Sequence, residues 1–173
     1  TAADPFRVEN LEDLRFLTQH SVHWDKHFQV QNAIDLSPAQ YWDDSDDNGD
    51  GDRYNDANDT TADGNNEGWR PIGSAATPFT GNFDGAELLL DNLTIARPDT
   101  DNIGLFAHVG DGANLHDIAL KNVDITGGNH VGALAGNNSG TIQASTTRGY
   151  VNGSNDVGGL IGVNSASGTA ETS

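Results

Sequence analysis

Apolar residues fall into three patterns along this chain. In residues 1–42, Leu11, Leu14 and Leu17 share one face at helical spacing, with Phe16 close by and Glu9, Glu12 and Asp13 early. That spacing predicts a short amphipathic helix. His27-Phe28-Gln29-Val30-Gln31 then alternates, which predicts a strand, and Ala33-Ile34-Asp35-Leu36-Ser37-Pro38 closes it. Residues 43–68 carry almost no apolar side chains. Alone, such a stretch buries too little surface to offset the entropy of ordering it. A loop this long inside a compact domain points to a function that orders it, or to disorder.

In residues 69–173 short aliphatic clusters recur. Ile103-Gly104-Leu105-Phe106-Ala107, Val131-Gly132-Ala133-Leu134-Ala135-Gly136 and Val157-Gly158-Gly159-Leu160-Ile161-Gly162 are near-copies, starting 28 and then 26 residues apart. Self-similarity at that period marks stacked repeats. High glycine content and β-branched residues exclude helical repeats, so the stacking unit is strand and turn. The expected fold is mainly β, a parallel β-solenoid with an N-terminal helix-containing cap. Leu105, Leu120, Val123, Ile125, Leu134, Val157 and Leu160 should point into one stacked core. The run Ser165–Ser173 reads as partway through a coil. The expectation is therefore a piece of a longer protein, or a subunit whose open end is covered by a copy of itself or by neighbouring repeats.

Charge narrows the partners. Eight Lys+Arg against 26 Asp+Glu give a formal net charge of −18. Nucleic acid is a poor partner, since phosphate binding depends on basic side chains. Anionic membrane surfaces are disfavoured likewise. Divalent cations and high ionic strength suit such a surface. There is no Cys or Met, and no apolar run approaches the roughly 20 residues of a membrane helix.

The glycine clusters resemble the GLUG-motif repeat family, named for a Gly-Leu-x-Gly core that Gly159-Leu160-Ile161-Gly162 spells out. The lead-in is also similar to passages that precede GLUG repeats in bacterial surface proteins. It comprises Ala33-Ile34-Asp35-Leu36-Ser37, Trp69-Arg70-Pro71-Ile72-Gly73 and Phe79-Thr80-Gly81-Asn82-Phe83-Asp84-Gly85. The resemblance runs from about residue 6 to the end, apart from the acidic stretch. It implies a right-handed parallel β-helix outside the cell, secreted or at the cell surface, of adhesin-like character. It implies no catalytic residues, because those repeats are scaffold.

The acidic stretch has its own chemistry. Asp46-Asp47-Asn48-Gly49-Asp50-Gly51 satisfies D-x-[DN]-x-[DN]-G, in which alternate side chains converge on one ion and glycine takes the sharp turn. A second register uses Asp44, Asp46, Asn48, Gly49, Asp52 and Asn55, a spacing similar to that of thrombospondin-type calcium repeats. The expected ligands are Asp44, Asp46, Asn48, Asp50, Asp52 and Asp56, with Asp59 and Asp63 in reserve, and the expected ion is calcium, which takes six to eight hard oxygens. No Glu stands at the twelfth position, so this is not an EF-hand.

Other constellations are weaker. His20, His23, Asp25 and His27 have spacings a zinc ion tolerates, but neighbouring Trp24 and Phe28 favour packing roles. Asp117 and Asp124 are a carboxylate pair in a chain where Asp is everywhere. No nucleophile elbow or redox Cys pair occurs. The reading is a calcium-stabilised structural or adhesive module, not an enzyme, whose glycan or protein ligand is unspecified. The rival readings are a carbohydrate-active β-helix, lyase or hydrolase, and an accessory segment of a secreted protease.

Overall fold

The structure, a computed structural model, describes residues 3–42 and 66–171. The expected helix is present as α1, Leu11–Gln19. Asn10 caps it, accepting the Asp13 N–H at 3.2 Å, and satisfies a donor that the first turn leaves orphaned. Leu14 and Leu17 are fully buried, and the Trp24 indole N–H donates to the Leu17 carbonyl at 2.7 Å, anchoring the helix over the end of the core.

All named strand pairs are parallel. β1 (Phe6–Val8), β2 (His27–Val30), β4 (Asn82–Asp84), β8 (Asn114–His116), β12 (Thr141–Gln143) and β16 (Thr169–Glu171) pair in that order as a six-stranded sheet. β3 (Ile34–Asp35), β5 (Leu89–Asp91), β9 (Ala119–Thr126) and β13 (Thr146–Asn152) line a second face, with β6 (Thr94–Ala96) alongside β9. β7 (Phe106–Val109), β11 (Ala135–Asn138) and β15 (Ile161–Asn164) form a third face, and β10 (Asn129–Gly132) with β14 (Asn155–Gly158) a fourth. Each circuit visits the faces in the same order, so the chain winds as a β-solenoid.

Rungs of successive circuits lie 32 residues apart at Asn82/Asn114, 28 at Thr141/Thr169 and 26 at Asn138/Asn164. In the six-stranded sheet the inward column reads Phe28, Phe83, Leu115, Ile142, Ala170. The glycine clusters stack as the sequence suggests, with one adjustment. Val131 pairs with Val157 and Gly132 with Gly158, but Phe106 pairs with Ala135, so the first cluster turns with one residue fewer. Leu105 and Phe106 nonetheless donate to the Ala133 and Leu134 carbonyls at 3.0 and 2.9 Å.

Of the residues expected inside, Leu105, Leu120, Val123, Ile125 and Leu134 are buried. Val157 is 44% exposed and Leu160 only partly buried. Both sit in register with buried neighbours, but among the described residues nothing covers the upper side of their circuit. The glycines are required where circuits touch. A Cβ on Gly136 would lie 2.6 Å from the Asn102 Cα, and one on Gly162 would lie 2.6 Å from the Val131 backbone nitrogen.

The residues that flank 43–65 are clamped to one another. Gly68 donates its N–H to the Trp42 carbonyl at 2.8 Å, and the Trp42 and Trp69 rings stack 6.0 Å apart. Arg97, 7% exposed, reaches Glu67 at 2.9 Å. Gly68 has φ +74°, a left-handed conformation in which its missing Cβ also lets it touch the Thr94–Ile95 backbone.

Candidate functional site

The expected calcium ligands Asp44, Asp46, Asn48, Asp50, Asp52 and Asp56, with Asp59 and Asp63, lie outside the described residues. The described residues on either side of that stretch, Trp42 and Gly68, meet beside β6.

The outer face of the six-stranded sheet carries a second concentration of polar chemistry. Inward Phe83 and Leu115 force their strand neighbours outward by the alternation of the pleat. One outward column holds His27, Asn82, Asn114, Thr141 and Thr169, the other Gln29, Asp84, His116, Gln143 and Glu171. Rungs are tied across circuits. Asn114 Nδ2 donates to Asn82 Oδ1 at 3.0 Å, Gln143 Nε2 to Glu171 Oε2 at 3.1 Å, and the Thr141 and Thr169 hydroxyls meet at 3.2 Å.

At the Asp84 and His116 rungs three ligand-type groups converge. His116 Nδ1 is 2.8 Å from Asp117 Oδ2 and 3.6 Å from Asp84 Oδ1. Asp117 comes round because its backbone turns left-handed, φ +55°. Asp84 is held from two sides: Gln29 Nε2 donates to its Oδ2 at 2.8 Å, and the Ala86 N–H to its Oδ1 at 2.8 Å. Ligand atoms of Asp84, His116 and Asp117 all lie within 4.8 Å of one another. A groove of about 280 Å³, lined by His27, Phe28, Gln29, Asn82, Asp84 and His116, opens beside them.

Of the carboxylate pair weighed from the sequence, Asp117 groups with Asp84 and His116, whereas Asp124 lies on β9 in a different sheet from β4 and β8. His20 stacks on Phe16 with centroids 3.8 Å apart, and its Nδ1 contacts the Phe16 carbonyl at 2.8 Å. His23 packs near Phe6 and Phe16 at 5.8 and 5.7 Å. Both therefore pack on aromatic rings, those of Phe16 and Phe6. The Asp84–His116–Asp117 group was missed in the sequence. Its signal was a polar ligand directly after each inward hydrophobe, Phe83-Asp84 and Leu115-His116, in clusters one circuit apart.

Among the described residues, three groups elsewhere have shifted acidities. The Asn92 side chain, then the Ser37 N–H, hold the Asp35 carboxyl below its usual range. Lys26 does the same for Asp25. Burial, then the charge of His130, push His108 below the ordinary histidine value.

No known family profile matches the chain. It is 31% identical over 153 residues to part of halomucin from Haloquadratum walsbyi, a match covering 87% of this chain and 1% of that protein. It is 37% identical over 78 residues to a "Putative Gly-rich membrane protein" of Evansella cellulosilytica, covering 43% of this chain and 9% of that one. The chain thus spans a small fraction of both curated relatives. A crystal structure titled as a putative immunoglobulin A1 protease from Bacteroides ovatus aligns over 99% of this chain and 65% of its own, at 16% identity and TM-score 0.42. That likeness is too remote to carry an activity across.

Proposed function

We propose that this chain is a non-catalytic structural or adhesive module of a secreted or cell-surface protein, a β-solenoid of the GLUG-repeat kind braced by calcium bound in the insert 43–68. The observation that carries the reading is the neck at Trp42, Gly68 and Trp69. It fixes the residues that flank a carboxylate-rich segment to each other and to the solenoid, so an ion bound in that segment would tighten the solenoid and not merely a distant loop. Similarity to stretches of halomucin and of a membrane protein, each many times longer than this chain, supports a modular role at or outside the cell envelope. The spacing of Asp46, Asn48 and Asp50 ahead of Gly51 supports calcium over magnesium, which demands tight octahedral geometry and keeps its waters.

Affinity is expected in the range of extracellular modules, roughly 10⁻⁴–10⁻³ M. At calcium a hundredfold above the dissociation constant, linkage adds about 2.7 kcal/mol of stability per site. Calorimetric titration and thermal melting with and without chelator test this on wild type, Asp46→Ala and Asp50→Ala. The reading fails if wild type shows no heat at millimolar calcium and chelator leaves the melt unchanged.

A further inference from the structure

We propose that Asp84, His116 and Asp117 form a metal site for a zinc-like transition ion, distinct from the calcium segment, which pins two successive circuits together on the outer face of the six-stranded sheet.

The donor set comes first. Calcium takes oxygen ligands, whereas an imidazole nitrogen beside two carboxylates is a combination zinc accepts readily. Spacing agrees. Tetrahedral bonds of about 2.0–2.1 Å place neighbouring ligand atoms about 3.3 Å apart. The two distances from His116 Nδ1, 2.8 and 3.6 Å, bracket that value, so side-chain adjustments of a few tenths of an ångström complete the geometry. The groups are also restrained before any ion arrives. Asp84 is fixed by the Gln29 amide and the Ala86 N–H, the outer support that metal-binding carboxylates usually have. Asp117 is fixed by its left-handed backbone, its N–H directed to the Gln143 carbonyl at 3.3 Å and its carbonyl accepting from Glu87 at 2.9 Å.

A second observation on the same face points the same way. His27 Nδ1 and Asn114 Oδ1, both in the neighbouring outward column, are closed off from solvent and have no hydrogen-bond partner. Shielded polar atoms left unsatisfied are the usual mark of a missing water or ion. His27 lines the groove beside Asp84 and His116, where the fourth ligand of an ion would be a water. The formal charge of −18 concentrates cations at such a surface.

The role follows from the topology. Asp84 belongs to β4 and His116 to β8, adjacent rungs in register, so the ion cross-links circuits that are otherwise joined there by backbone ladder bonds and Asn114–Asn82.

The test is a calorimetric titration of the whole chain with zinc chloride in saturating calcium, so that the insert 43–68 is already supplied. One zinc site is expected in wild type, not displaced by a tenfold calcium excess. His116→Ala and Asp84→Asn should each weaken it at least about a hundredfold, and Gln29→Ala, which removes only the support of Asp84, about tenfold. His20→Ala with His23→Ala should leave it unchanged. Circular dichroism checks that each variant is folded. Should His116→Ala fail to fold, His116→Gln and Gln29→Ala give the same comparison. The proposal is overturned if zinc affinity in the folded Asp84 and His116 variants equals wild type, if calcium displaces zinc at equal concentration, or if the histidine pair on the helical cap carries the binding.

Discussion

The circuit of β4–β7 and the circuit of β12–β15 follow the same path with different interiors. In the first, Phe83, Leu90, Leu93, Ile95, Ile103, Leu105 and Phe106 are all at most 1% exposed. Phe28, Phe79, Phe106 and Phe83 run as a chain of ring contacts at 6.2, 5.1 and 5.5 Å. In the second, Ile142 is buried, Val151, Leu160 and Ile161 are partly buried, and Val157 is exposed. Backbone pairing is parallel in both, with one residue fewer at Ile103–Phe106 in the first and a register shift at Arg148/Gly149 in the second. The lesson is that ladder bonds with the circuit below set which way a side chain points, while burial needs a circuit on both sides. Size is shared between rungs as well: Phe106 stands over Ala135, a large residue against a small one, which keeps the core filled without strain.

The sharpest way to break this comparison is to remove equivalent inward side chains from each circuit. Phe83→Ala should cost about 3–5 kcal/mol, the loss expected for a fully enclosed ring. Val157→Ala should stay within about 0.5 kcal/mol, since its side chain is already partly in water. Urea unfolding of both variants measures the difference. Equal losses would mean that the upper circuit is covered in solution.

A second contrast concerns glycine. A Cβ on Gly132 would meet the Gly162 nitrogen at 2.5 Å and the Ile161 carbonyl carbon at 2.7 Å, both backbone atoms of the next circuit. Gly132→Ala should therefore cost about 3 kcal/mol, as circuits are pushed apart. A Cβ on Gly159 meets nothing within 4 Å, so Gly159→Ala should be neutral or slightly stabilising, by up to about 1 kcal/mol. The first glycine of the Gly-Leu-x-Gly spelling is thus the dispensable one, and Gly158 before it, paired with Gly132, is the one that stacks.

That reversal shows what the sequence could reveal. Helix α1, strand β2 and the inward positions Leu105, Leu120, Ile125 and Leu134 were legible because local period and composition determine them. The one-residue shortening at Ile103–Phe106 was not, since near-identical spelling suggests identical register. Nor was the Asp84–His116–Asp117 group, because its members meet only through the stacking of rungs 32 residues apart, as at Asn82 and Asn114. The exposure of Val157 was hidden for a related reason: no local pattern reports whether another circuit lies above.

Buried polar rungs offer a smaller effect. Asn138, fully buried, accepts the Gly140 N–H at 3.1 Å, and its Nδ2 lies 2.8 Å from Asn164 Oδ1 and 3.2 Å from the Thr169 carbonyl. Asn138→Ala leaves those groups without a partner inside the turn and should cost about 2 kcal/mol. Asn164→Ala, one circuit up and exposed, should cost about 0.5 kcal/mol. Thermal melting of the two variants ranks them.

The smallest expected effect is a dependence on pH carried by two groups of the lower circuits. His108, on β7, is pushed below the ordinary histidine value first by burial and then by the charge of His130, which itself lies 3.3 Å from Asp156. A histidine with a lowered folded-state pKa favours the fold while neutral. Its contribution is complete above the unfolded value of about 6.5 and is lost as pH falls through the folded value. Asp35, in the second face, behaves in a different window: its carboxyl is held low by Asn92 and Ser37. Its contribution is present above the usual carboxylate value of about 3.9 and disappears only in stronger acid. Melting temperature should therefore decline between about pH 7 and 5 in wild type, and less steeply in His108→Gln. Asp35→Asn should leave that decline intact and flatten the one at lower pH. The His108 side chain is only half-buried, so water screens most of the difference and the slope, not the absolute stability, is the quantity to compare. If His108→Gln follows wild type across the upper window, the acid sensitivity there belongs to another group, and the desolvation of β7 is too slight to bias folding.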